Sequence, residues 1–110
     1  MYGDFPFEPG RLAVLVLREP RERMWGKLLR LEPAGVALRG IELGQWEQAI
    51  AMIKNGETEH VAIGTRFFPM HRVEMMYADE INSGVESLAT SFLRRTGIEP
   101  MWFLGEPETR

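Results

Sequence analysis

The residues that could carry chemistry are few, and their spacing keeps them apart. The chain has two histidines and no cysteine, so neither a disulfide nor a zinc site built on thiolates can form. In the run His71-Arg72-Val73-Glu74 the imidazole and the carboxylate are three residues apart, which on a strand places them on opposite faces. They cannot share a metal there, and His60 stands alone in another strand-like segment. Serines occur at Ser83, Ser87 and Ser91, in or beside a helical pattern, where capping explains them better than nucleophilic attack. Gly35, Gly40 and Gly44 lack the spacing and the strand-to-helix setting of a phosphate cradle. The expectation is a protein that is not an enzyme and that uses no metal and no cofactor.

Charge gives a second constraint. With a net charge of −3 and a pI near 5.4, the molecule as a whole does not attract phosphate, and no DNA partner is expected. The distribution is uneven. Between residues 11 and 39 seven basic side chains, among them Lys27 and Arg30, face three acidic ones, a local excess that is either a basic patch or the solvated ends of strands.

These side chains must be positioned by a single small core, because 110 residues suit one domain. Apolar residues make up 45% and charged residues 26%, ordinary for a globular chain. The longest aliphatic run, Leu12 to Leu17, is far short of a bilayer span, and no export signal opens the chain. A cytoplasmic protein without membrane contact is the expectation.

Residues 1–10 combine prolines, glycines and the aromatics Tyr2, Phe5 and Phe7, and read as an extended arm docking on the domain. Leu12 to Arg18 is apolar on both alternating faces, the pattern of a strand covered on both sides. Met24 to Glu32 reads as a second strand with Gly26 marking a bend, and Pro33-Ala34-Gly35 as a tight turn into a third, Val36 to Leu43. From Gln45 to Asn55, Trp46, Ala49, Ile50 and Ile53 recur at helical spacing, predicting a helix over 45–55 that stops at Asn55-Gly56. Glu59 to Phe68 and His71 to Ala78 read as strands four and five, with a bend at Pro69-Met70.

The chain has seven methionines, and the neighbours Met75 and Met76 must point to opposite faces of strand five, so both faces need cover. Ser83-Gly84-Val85-Glu86 has capping-box spacing and predicts a C-terminal helix over 83–96 with Val85, Leu88, Ala89, Phe92 and Leu93 as its apolar stripe. The cluster Met101-Trp102-Phe103-Leu104 then either folds back or meets another chain. The expected architecture is mainly β with α: a five-stranded, strongly bent antiparallel SH3/Sm-like barrel over residues 11–80, closed to remove its edges, with a helix between strands three and four and a C-terminal helix and tail over 81–110.

The stretches WGKLLRLEPAGVALRGI and FFPMHRVEMM resemble the two halves of an Sm-like (LSm) barrel, nearest in spacing to its Hfq branch. Gly26, Leu28, Leu31, Glu32, Val36 and Leu38 follow the family's order of a strand-two glycine, alternating apolar residues, an acidic residue at the turn and an apolar third strand. Where that branch has Tyr-Lys-His before its last strand, this chain has Pro69-Met70-His71. The resemblance covers about residues 12–78 and implies a homo-oligomer, in the family a ring, in which strand four of one copy pairs with strand five of the next. It also implies RNA as a candidate ligand, with His71, Arg72, Arg30 and Lys27 as the candidate contacts and Phe67, Phe68, Met70 and Met76 as candidate interface residues. Pro69, Met70 and Pro33-Ala34 stand where the family has stacking or cationic groups, which single-stranded RNA needs. The alternative expectation is an SH3-like interaction or scaffold module that binds no nucleic acid.

Overall fold

The computed structural model describes residues 5–106; the docking expected of Tyr2 lies outside them. Five strands, β1 (Leu12–Leu17), β2 (Glu22–Glu32), β3 (Gly35–Glu42), β4 (Gly64–Pro69) and β5 (Val73–Ala78), form one antiparallel sheet in the order β4-β3-β2-β1-β5. Three helices accompany it: α1 (Trp46–Lys54), α2 (Leu88–Thr96) and α3 (Pro100–Leu104).

The expected closure of the barrel does not occur. β4 pairs with β3 alone and β5 with β1 alone, so the sheet keeps two edges among the described residues. It is nevertheless curled. Phe68 on β4 and Met76 on β5 pack against the same apolar cluster, with Leu15, Leu17, Met24, Leu28, Val36 and Leu38, whereas five flat strands would hold their edges about 19 Å apart. The bend has a local cause in Gly26 and Gly40, which face each other across β2 and β3. A Cβ on Gly26 would fall 2.2 Å from the Arg39 carbonyl oxygen, and one on Gly40 would fall 2.0 Å from that of Trp25. Only glycine permits so close an approach.

A reciprocal arginine clasp holds the short turn between β4 and β5. Arg18 donates to the carbonyls of His71 (3.0 Å) and Val73 (3.2 Å). Arg72 donates in return to those of Arg18 (3.0 Å) and Pro20 (2.7 Å).

The other face of the sheet carries the helices. Val14, Trp25 and Ile41 meet Ala49 and Ile53 of α1, Phe92 of α2, and Phe103 and Leu104 of α3. Phe92 is fully buried, with ring centroids 4.8 Å from Phe103 and 5.8 Å from Trp25. The double coverage that β1 demanded is therefore met within the chain, by the concave cluster below and the helices above. The apolar cluster near residue 103 folds back: α3 buries Phe103 and Leu104, while Trp102 stays exposed. Phe7 packs against the concave cluster and Phe5 remains exposed.

Several boundaries differ from the expectation. The segment read as the start of strand four contains a one-turn helix at Thr58–His60, and β4 begins at Gly64. His71 and Arg72 lie in the 3-10 turn Met70–Arg72 rather than in β5. The C-terminal helix begins at Leu88 instead of residue 83. Ser83 and Gly84 adopt positive φ (51° and 82°) in a tight turn bridged from Asn82 to Val85, so the expected capping box cannot form. Val85 is consequently exposed, and Ser87 is the cap, accepting from the Thr90 amide at 3.0 Å.

A candidate interaction surface along β5

The four residues proposed as RNA contacts do not make one cationic surface. Lys27 on β2 is buried, 4% exposed, and its ammonium is paired with Glu106. Arg72 is held in the clasp and lies 3.3 Å from Glu22. Arg30, on β2, is exposed and pairs with Glu32 at 2.7 Å; His71 is exposed on its turn. Three guanidinium or ammonium groups that sequence spacing made available are thus paired within the fold, Arg30 on the surface.

Of the interface candidates, Phe68 is buried in the concave cluster, and Met70 and Met76 pack against it. Phe67 is 51% exposed on edge strand β4. Phe67 lies opposite Ala37, one residue out of phase with the inward Phe68 and Val36, so it shares the helix-bearing side of the sheet.

The same alternation governs β5. Met76 lies opposite Leu15 and faces the concave cluster, whereas Met75 lies opposite Val16 and Tyr77 opposite Val14. Met75 and Tyr77 are therefore on the helix-bearing side, yet they are 49% and 40% exposed. The helices leave them partly open to solvent. They line a groove of about 680 Å³ whose other apolar walls are Leu43, Trp46, Val85 and Leu88.

One wall of that groove is fixed by Asp79. Its carboxylate accepts from the Leu88 amide at 2.7 Å, the Ala89 amide at 2.8 Å and the Trp25 indole N–H at 2.9 Å. A carboxylate at orphan amides of a helix start satisfies groups that otherwise have no partner, and here it also joins α2 to the central strand. A bidentate pair, Arg95 to Glu47 at 2.7 and 2.8 Å, ties α2 to α1; this hydrogen bond holds the Glu47 carboxyl below its ordinary value. Glu86 is held down likewise by its hydrogen bond from Arg94. Two charged groups at the groove have no partner among the described residues: Arg23 on β2 and Glu80 after β5.

Comparison with protein-family models, curated proteins and solved structures gives no match. The surface must be read from its own chemistry. Ser87 is engaged with Thr90, and among the described residues no three acidic or histidine side chains converge on a metal-sized site. What the surface offers is a strand edge unpaired among the described residues, next to an apolar groove. Asp79, Arg23 and Glu80 were not singled out by the sequence; Asp79 could have been found as an Asp preceding a helix, though the eight residues between it and Leu88 hide the relation.

No described helix is long and apolar enough to cross a membrane.

Proposed function

We propose that this chain is a non-catalytic interaction module of the SH3/Sm kind, working in the cytoplasm, which binds other polypeptide through its open strand edges. The observation that carries the reading is β5: an edge strand that, among the described residues, pairs with β1 alone, flanked by exposed Met75 and Tyr77 and an apolar groove. Unpaired backbone donors and acceptors next to apolar pockets are what strand addition uses, the backbone giving affinity and the pockets specificity.

Amide chemical-shift and exchange mapping of the labelled protein tests it. Addition of extended peptides should protect β5 amides, and a set of peptides that leaves β5 unchanged would refute the reading.

Self-assembly is a second reading, favoured by Phe67. Exposed Phe67 on β4 and exposed Met75 and Tyr77 on β5 share one side of the sheet, so head-to-tail pairing of copies would bring them together, as the Sm-like resemblance implies. Light scattering decides it: a mass that stays monomeric as the protein is concentrated excludes the oligomer. RNA binding would fall to Arg30 and His71. Oligo-U and oligo-A titrations at two salt concentrations should show no binding with the log–log salt slope of a phosphate contact.

A further inference from the structure

Lys27 is the one charged side chain buried among the described residues, at 4% exposure. Its ammonium has three donors, yet its one partner among those residues is the Glu106 carboxylate. Glu106 itself stands in solvent, with 79% of its side chain exposed. It reaches the ammonium from outside, because Gly105, at φ 65°, turns the chain where α3 ends. Directly opposite Lys27 on β3 lies Arg39, on the same helix-bearing side of the sheet. Arg39 donates to the Leu104 carbonyl at 2.6 Å and to the Thr65 hydroxyl at 3.1 Å, and no described carboxylate meets it. Like charges at facing positions of two strands repel. One exposed carboxylate is all that offsets this pair.

We propose that Lys27 and Arg39 form a site for a carboxylate presented by another polypeptide, and that Glu106 occupies it in cis until such a group displaces it. The molecule itself shows the chemistry of the occupant: a glutamate following a glycine fills the site. An ammonium with donors to spare, beside a guanidinium without an acidic partner, holds a carboxylate by charge-assisted hydrogen bonds. Exchange is open, because the Glu106 carboxylate leaves into solvent while α3 stays anchored by buried Phe103 and Leu104. The empty site is the unfavourable state, since an ammonium removed from water without a counter-charge destabilises the fold. Glu106 therefore yields only to an equivalent group. The site lies on the central strands β2 and β3 and is independent of the edge of β5.

The test uses the full chain, isotope-labelled, at constant ionic strength, with N-acetyl-Gly-Glu-amide and its Gly-Gln counterpart as probes. Glu106→Gln removes the internal competitor, and the Glu probe should then shift the Lys27 and Arg39 signals. Its affinity should be about tenfold above that for the unchanged chain, since a tethered group competes at an effective concentration in the millimolar range. The Gln probe should shift neither signal. The same variant should unfold at a lower urea midpoint, which the Glu probe should raise. Glu106→Asp keeps the charge on a shorter stem and should bind the probe with intermediate affinity, which covers the case in which Glu106→Gln folds poorly. In the double variant Lys27→Met with Glu106→Gln, where an unbranched apolar chain replaces the lysine, the response should vanish.

Absence of any shift at Lys27 and Arg39 in the Glu106→Gln chain would overturn the site, as would a response that survives Lys27→Met. Equal affinity with and without the Glu106 carboxylate would overturn its role as the resident occupant. Equal responses to the Glu and Gln probes would overturn the carboxylate as the recognised group. Inorganic phosphate binding more tightly than the Glu probe would make a phosphate group the ligand and overturn the acidic polypeptide.

Discussion

β1 and β5 are neighbours in the sheet and look alike in sequence, yet their surroundings differ. Val14 and Val16 on β1 are 0% and 3% exposed, while Met75 and Tyr77, directly opposite them on the same side, are 49% and 40% exposed. The difference lies in what is above. α1, α2 and α3 converge over β1 and β2 through Phe92 and Trp25, and helix cover ends at the boundary between β1 and β5. Alternating apolar residues therefore state that a face wants burial, without stating whether the chain itself supplies the cover. On β1 burial stabilises the fold; on β5 the same kind of residue leaves surface for a partner.

The contrast can be broken most severely at its center. Phe92→Ala removes the ring shared by all three helices and should destabilise the protein by about 3–5 kcal/mol, read as a shift of the urea midpoint. A loss below about 1 kcal/mol would mean that the helices are not what covers β1. Asp79→Ala leaves two helix-start amides and the Trp25 indole without their acceptor and should cost about 2–3 kcal/mol, with loss of protection at Leu88 and Ala89 in hydrogen exchange. Asp79→Asn should recover part of that. Met75→Thr, by contrast, should move stability by no more than about 0.5 kcal/mol, while weakening peptide binding at β5. A core-sized loss there would show that β5 is covered after all.

The smallest effect concerns pH. Hydrogen bonds from Arg95 and Arg94 hold the carboxyls of Glu47 and Glu86 below their ordinary 4.5. A carboxylate whose value is lower in the folded state favours folding above its unfolded value and loses that contribution as pH falls through the folded one. Between about pH 6 and about pH 3 the protein should therefore lose slightly more stability than the variant carrying Glu47→Gln and Glu86→Gln, as compared by their urea midpoints. Both pairs are at the surface, so the difference should be small.

How far the sequence foretold this depends on the range of the interactions involved. The β1, β2 and β3 strands, the turn at Pro33-Ala34 and α1 follow from local alternation, from proline and glycine, and from helical spacing, all of which act over a few residues. The errors arose where a distant partner decided. Ser83-x-x-Glu86 is a sound local cap, but Asp79 and the Asn82–Val85 turn set the helix start at Leu88. Lys27 reads as a free cation in β2 until Glu106, 79 residues away, is seen to hold it. Arg72 reads as a ligand contact until its carbonyl partners on the β1–β2 loop are known. The β5 groove was invisible for the same reason, since its walls come from Leu43, Trp46 and Val85 as well as from β5 itself.

The clasp of α3 onto the sheet also bears on timing. Arg39 of β3 donates to the carbonyl of Leu104 at 2.6 Å, across 65 residues of sequence. A ribosome adds about 5–20 residues per second, so about 3–13 s separate the synthesis of these two residues. For most of that interval β2 and β3 can already form a hairpin while Trp25 lacks both Phe92, made 53 residues after Arg39, and Phe103. The nascent chain thus has an indole-bearing sheet face open for seconds, a window in which a holdase chaperone would find it.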